Sequence, residues 1–224
     1  MSGYRKVLLI EIGALAVMAG VLIFMISSPK ETYEYEPQPT FEVSDTMYKW
    51  EFDEAEDLQT PELPTGCEAT ACATLLRMYG IPVTKFEMAN KMPKSDSDFV
   101  NSFMGDPYSP YGWAIMPPGM AWTANRFLEF SGYAAFAKQG IPLKELKLPC
   151  EIWVTTYLVA PEFLFYQDGY GMSQANHAMV LISIDGDEAH VVDPLVGETY
   201  YDLSLLEKRY EQMGMQAIVL LEWD

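Results

Sequence analysis

The chain has 224 residues, half of them hydrophobic and 13% aromatic, with a formal charge of −18. That length predicts one domain with appendages and a substantial core. The charge excludes a nucleic-acid binder, and two histidines with no CxxC or HxxxH spacing argue against structural zinc.

Arg5 and Lys6 precede VLLIEIGALAVMAGVLIFMI, residues 7–26, whose one charge is Glu11. A bilayer core needs about 20 apolar residues of helix, whereas a signal-peptide core runs about 7–15 and ends in small residues. This run ends FMISSPKE, which predicts an uncleaved anchor. The preceding cations put residues 1–6 on the cytoplasmic side of the cell membrane and the body outside. Glu11 lies a turn from the boundary, where it snorkels or meets another membrane helix. Residues 1–30 hold three cations and one anion, so the remainder carries −20 and is repelled by anionic lipid.

Residues 27–57 read as an extended acidic linker, with ten acidic residues from Glu31 to Asp57 and one lysine. Its aromatics allow the second half to pack on the domain that follows. That domain, residues 58–224, opens with a helix from Cys67 to Tyr79. Cys72, Leu75, Leu76 and Tyr79 make its core stripe, Thr65 or Gly66 its cap and Gly80 its end. Further helices are expected near 84–91, 95–104 and 121–132, and a turn at 143–147. The second half is β-rich: strands at 151–159, 177–184, 189–193, around 198–203 and at the C-terminus, with a helix over 204–213. Asp185-Gly186 marks a hairpin. Helices followed by an antiparallel sheet define an α+β class.

The three cysteines differ in position. Cys67 stands at a helix N-terminus, where the macrodipole and free N–H groups favour a thiolate; a small residue at a tight junction is the alternative. Cys72 is five residues on, about 140° round the helix and about 7.5 Å along it, so an intrahelical disulfide is rejected. Cys72 and Cys150 read as buried filler.

His177 opens a strand after a polar loop, YQDGYGMSQAN, and Asp193 ends the returning strand before Pro194. A two-residue turn at Asp185-Gly186 sets Asp193 beside His177 across the ladder. A three-residue loop makes them a direct pair. Asp193 also reads as an Asp-Pro turn residue, and His190 as a surface strand residue. A thiol, an imidazole and an orienting carboxylate together make a nucleophilic kit. Gln59, eight residues before Cys67, is a candidate oxyanion donor beside the Cys67 backbone N–H.

The segment LQTPELPTGCEATACATLLRMYG resembles the opening motif of the C39-like peptidase family. YGWAIMPPGMAW, NHAMVLISIDGDEAHVVDPLVGETYY and YEQMGMQAIVL resemble its middle, its His hairpin and its closing helix and strand, in that order. The likeness covers about residues 58–221. It implies a papain-like cysteine peptidase fold with Cys67 as nucleophile, His177 as general base and then acid, Asp193 as orienter and Gln59 as oxyanion donor. Two departures stand out: FDEAED before Gln59 is acidic where relatives have a strand-like run, and KLPCEIWVTT lacks a Gly-x-Pro signature. They bear on the rim of the cleft more than on the triad. No nucleotide-binding motif follows, so the expectation is not a leader-trimming exporter.

Together these expectations describe a membrane-anchored, outward-facing cysteine peptidase acting on a peptide or protein, with no cofactor, metal or nucleic acid. Acyl transfer shares the same residues. The competing reading is a retired peptidase scaffold that serves as an interaction module. Trp113, Trp122, Tyr166 and Tyr170 are candidate cleft aromatics, and the acidic surface favours basic peptides.

Overall fold

The computed structural model describes residues 50–223. The expected anchor at 7–26 and most of the expected linker lie outside these residues. Among the described residues no helix is long and apolar enough to cross a membrane.

Trp50 and Phe52 pack against the core, and a short helix, α1 (Glu54–Asp57), follows. Asp57 is fully buried, bonded to Thr74 and ion-paired with Arg77. The end of the expected linker is therefore part of the domain. Next come α2 (Cys67–Met78) and α3 (Lys85–Lys91), the latter closed by a Thr84/Glu87 capping box.

The expected helix over 95–104 does not form. Two short strands, β1 (Lys94–Ser95) and β2 (Phe103–Met104), pair there in parallel. Ser95 Oγ accepts from the Ser97 and Asp98 amides, and Asp98 Oδ1 accepts from Val100 and Asn101. Such short side chains compete with helical backbone bonds. The expected helix at 121–132 is earlier and shorter: α4 (Pro117–Ala124) starts on two prolines, which suit a first turn. Asn125 then closes it by exchanging two hydrogen bonds with the Ala135 backbone.

The main sheet has six strands in the order β3-β10-β4-β7-β8-β9, every neighbouring pair antiparallel. These are β3 (Tyr133–Gln139), β4 (Cys150–Thr155), β7 (Asn176–Asp185), β8 (Glu188–Asp193), β9 (Gly197–Asp202) and β10 (Gln216–Glu222). The hairpin β5 (Phe163–Gln167) and β6 (Tyr170–Ser173) stands apart from it. Neither β3 nor this hairpin is expected from the sequence reading, although Asp168-Gly169, both at positive φ, is a two-residue hairpin signal.

Cores fill both faces of the sheet. On one, Ala178, Val180 and Val192 meet α2 and α4 through Cys72, Leu75, Leu76 and Met120. On the other, Met179, Leu181 and Val191 meet α5 (Leu203–Gln212) through Leu203, Leu206 and Tyr210. Cys72 and Cys150 are buried, one in each core, and all three cysteines are free thiols. The result is an α+β fold with the α2 N-terminus brought to the start of β7.

Candidate active site

Gly66 caps α2 without a side-chain bond. A Cβ there would lie 2.7 Å from the Leu63 Cβ, so only glycine lets the chain turn into the helix this tightly. Thr65 serves the neighbouring loop instead: its hydroxyl donates to the Ser109 carbonyl at 2.9 Å. Cys67 thus begins the helix with first-turn amides that no cap side chain engages.

His177 and Asp193 meet in a buried contact, Nε2 to Oδ1 at 2.7 Å. Asp193 Oδ1 also accepts from the Leu195 amide, and Oδ2 from the Tyr201 hydroxyl, both at 2.8 Å. The carboxylate thus bonds both the turn that follows it and the imidazole. Burial pushes the Asp193 carboxyl up, but the His177 bond and charge, the amide and the hydroxyl together hold it below the usual carboxylate range. His190 stacks on Tyr200 and bonds Glu198, away from this pair.

The hairpin register differs from the expected one. Gly186 and Asp187 form the turn, with Asp185 opposite Glu188, and a bulge at Ile182 shifts the pairing to Val180 opposite Val192. Continued to the strand start, that register sets His177 opposite Leu195, with Asp193 its diagonal neighbour on the same face.

Cys67 and His177 line one cleft of about 670 Å³, with Gln59, Trp113 and Leu195. The Ala178 backbone N–H points at the Cys67 sulfur. Since Asp193 occupies Nε2, Nδ1 is the imidazole nitrogen left for a thiol. The thiol itself donates to Glu68 Oε2 at 3.3 Å. Burial pushes this thiol well up, and the Glu68 charge adds to it. Burial thus acts against the thiolate that the helix N-terminus is expected to favour.

Gln59 is buried beside the cleft, and its Nε2 donates to the Leu63 and Pro64 carbonyls at 3.2 and 3.0 Å. Its backbone N–H donates to the Pro194 carbonyl at 2.8 Å. An oxyanion role requires the side-chain amide to release one carbonyl. Of the four candidate aromatics, Trp113 lines the cleft and packs edge-on against Phe165 of β5; the other three are not among its lining residues.

Three buried or half-buried residues escape the sequence reading: Glu68, Asn176 and Tyr201. Glu68 follows Cys67 and reads as a complement to the helix dipole. Asn176 and Tyr201 announce nothing until the sheet brings them to Glu68 and Asp193.

With this geometry in hand, the comparisons decide the family. The model of the Peptidase_C39 like family matches residues 46–218. The chain belongs to the C39-like peptidase family. Family and fold support a cysteine-peptidase type of function. A crystal structure of a C39-like protein from Bacillus anthracis is similar at 25% identity and a TM-score of 0.67, covering 75% of this chain and 94% of that one. A double-glycine-motif protease from an AMS/PCAT transporter, solved with its leader peptide, shares 16% identity over 77% of this chain and 93% of its own, at a TM-score of 0.47. No curated protein matches the chain.

Proposed function

We propose that this C39-like peptidase is a membrane-anchored, extracytoplasmic enzyme that cleaves a peptide or amide bond through a Cys67–His177–Asp193 triad. The observation that carries the reading is the convergence, on one cleft, of an uncapped helix N-terminus bearing Cys67 and the 2.7 Å His177–Asp193 pair. In this mechanism the Cys67 proton passes to His177 Nδ1 and the sulfur attacks the substrate carbonyl. Asp193 holds the ring and stabilises the imidazolium. The developing oxyanion is met by the Cys67 backbone N–H and by Gln59 Nε2. His177 then protonates the leaving amine, and water releases the acyl group. Support for the anchor and for the outward orientation is the apolar run 7–26 behind Arg5 and Lys6.

Among the described residues lining the cleft, none is Asp, Glu, Lys or Arg. The substrate class this favours is an uncharged peptide segment, in place of the basic peptides that the surface charge favours. The test is Cys67→Ala: cleavage of a peptide library is lost while the fold persists. Full turnover by that variant rules the mechanism out. The burial that pushes the Cys67 thiol up favours a second reading, an interaction module on a retired site. Absence of cleavage from the unsubstituted chain across the library, with retained binding of a peptide, selects it.

A further inference from the structure

Glu68 has no part in the mechanism above, yet it lies against the nucleophile. It is the second residue of α2 and fully buried, where a first-turn glutamate ordinarily reaches solvent. Oε2 accepts the Cys67 thiol and Oε1 accepts Asn176 Nδ2, both at 3.3 Å. Its own backbone N–H and that of Ile115 also point at the carboxyl. Asn176 precedes His177 in the chain, so this one side chain bridges the two elements that carry nucleophile and base.

We propose that Glu68 is a positioning residue that governs Cys67: as a carboxylate it takes the thiol hydrogen bond and keeps the proton on sulfur, and as a neutral acid it leaves the thiol to His177. A negative charge at contact with the sulfur opposes a second one there. Once neutral, Glu68 no longer opposes the transfer of the thiol proton to Nδ1, and the thiolate–imidazolium pair forms. No bond to Glu68 is made or broken in the reaction itself.

The groups facing this carboxyl are few. From its own helix there is Cys67; from β7, His177 and Asn176; from β4, Glu151, with the Cys72 thiol beside it. The other charges packed on α2 are engaged with one another: Asp57 and Glu56 with Arg77, and Glu62 with Lys85. The helix α4 carries no charge. Burial holds Glu68 up to about 7, so both of its forms are populated near neutral pH.

The inference rests on Cys67 and His177 being nucleophile and base, but its test needs no substrate. Iodoacetamide alkylation of Cys67 is followed against pH in the unsubstituted chain and in Glu68→Gln. The variant is expected to react about tenfold faster near neutral pH, with the midpoint of its profile about one pH unit lower. Coincident profiles, or a higher midpoint in the variant, overturn the proposal. If Glu68→Gln does not fold, infrared spectroscopy of the unsubstituted protein decides. A carboxylic C=O band that fades as pH rises through about 7 and shifts on alkylation of Cys67 supports the role. A spectrum with no such band overturns it. A faster-alkylating variant of a protein that cleaves nothing sinks the peptidase reading alone; cleavage that needs Cys67, with coincident profiles, sinks this one alone.

Discussion

Asp193 shares a face of the sheet with His177 because β7 carries one residue more than its partner. On the turn side of the bulge, Ile184 lies opposite Ala189; beyond it, Leu181 lies opposite Val191. Without the extra residue, the turn-side register would set His177 opposite Val196, and Asp193 would project from the other face. The bulge therefore does chemical service: it puts a carboxylate within 2.7 Å of an imidazole that a regular ladder would turn away.

Asp193→Asn is expected to lower kcat by roughly two to four orders of magnitude with the fold retained, through loss of the charge that orients and stabilises the imidazolium. Tyr201→Phe removes one donor from the same carboxylate and is expected to lower kcat/KM by about tenfold or less, a net cost of about 1 kcal/mol. Because Asp193 is depressed when folded, its stabilising contribution is present above its unfolded value and is lost as pH falls through the folded one. Acid unfolding curves should start at higher pH in the Tyr201→Phe protein, as circular dichroism will read.

The buried glutamates act in the opposite sense. Glu68 is raised from 4.5 to about 7 on folding, so its contribution is full below 4.5 and is lost as pH rises towards 7. That loss is roughly 3 kcal/mol. Glu151 is likewise raised by burial and by the charge of Glu68, opposed only in part by the Cys72 thiol beside it. Melting temperatures should therefore fall between pH 5 and 7, and Glu68→Gln should flatten the slope. Glu151→Met, which replaces a buried acid whose facing side-chain group is a weak thiol donor with an apolar side chain of similar size, is expected to add about 1–3 kcal/mol at neutral pH. A destabilised Glu151→Met protein would show that the carboxyl has a stronger partner in solution.

Gln59 separates two roles by kinetics. As an oxyanion donor, its replacement by alanine lowers kcat about 100- to 1,000-fold with KM little changed. As a brace for the Leu63 and Pro64 carbonyls alone, the same change lowers the melting temperature and raises KM while kcat persists. Steady-state kinetics with a good library peptide, beside a thermal melt, will distinguish them.

The uncharged cleft lining sets a preference that library profiling will read directly. Peptides with apolar or small residues flanking the scissile bond should be cleaved in preference to those with lysine or arginine there, despite the chain's charge of −18. A strong preference for basic residues would mean that long-range attraction dominates over contact.

Much of this architecture was legible in the sequence because its signals are local. The α2 stripe, the Gly66–Cys67 junction and the β-branched run of β4 each follow from residue pattern over a few positions. Cys72 as filler follows from its place on the apolar stripe. What escaped depends on distant partners. A helix over 95–104 was a reasonable reading until Ser95 and Asp98 took the backbone amides for themselves. The bulge at Ile182 has no marker in the chain, so the expected register brought His177 and Asp193 together by the wrong route. Glu68 reads only as a dipole complement, because nothing in its own helix says that Asn176 and Ile115 will close over it.

The bond from the Gln59 backbone N–H to the Pro194 carbonyl has a mechanical consequence. It fastens the stretch of chain leading to Cys67 onto the residue next to Asp193. The loop around Trp113 is tied to the same stretch through Thr65 and Ser109, and Phe165 packs the β5–β6 hairpin, which lies outside the main sheet, against Trp113. Substrate binding is therefore expected to leave the spacing between Gln59 and Asp193 unaltered.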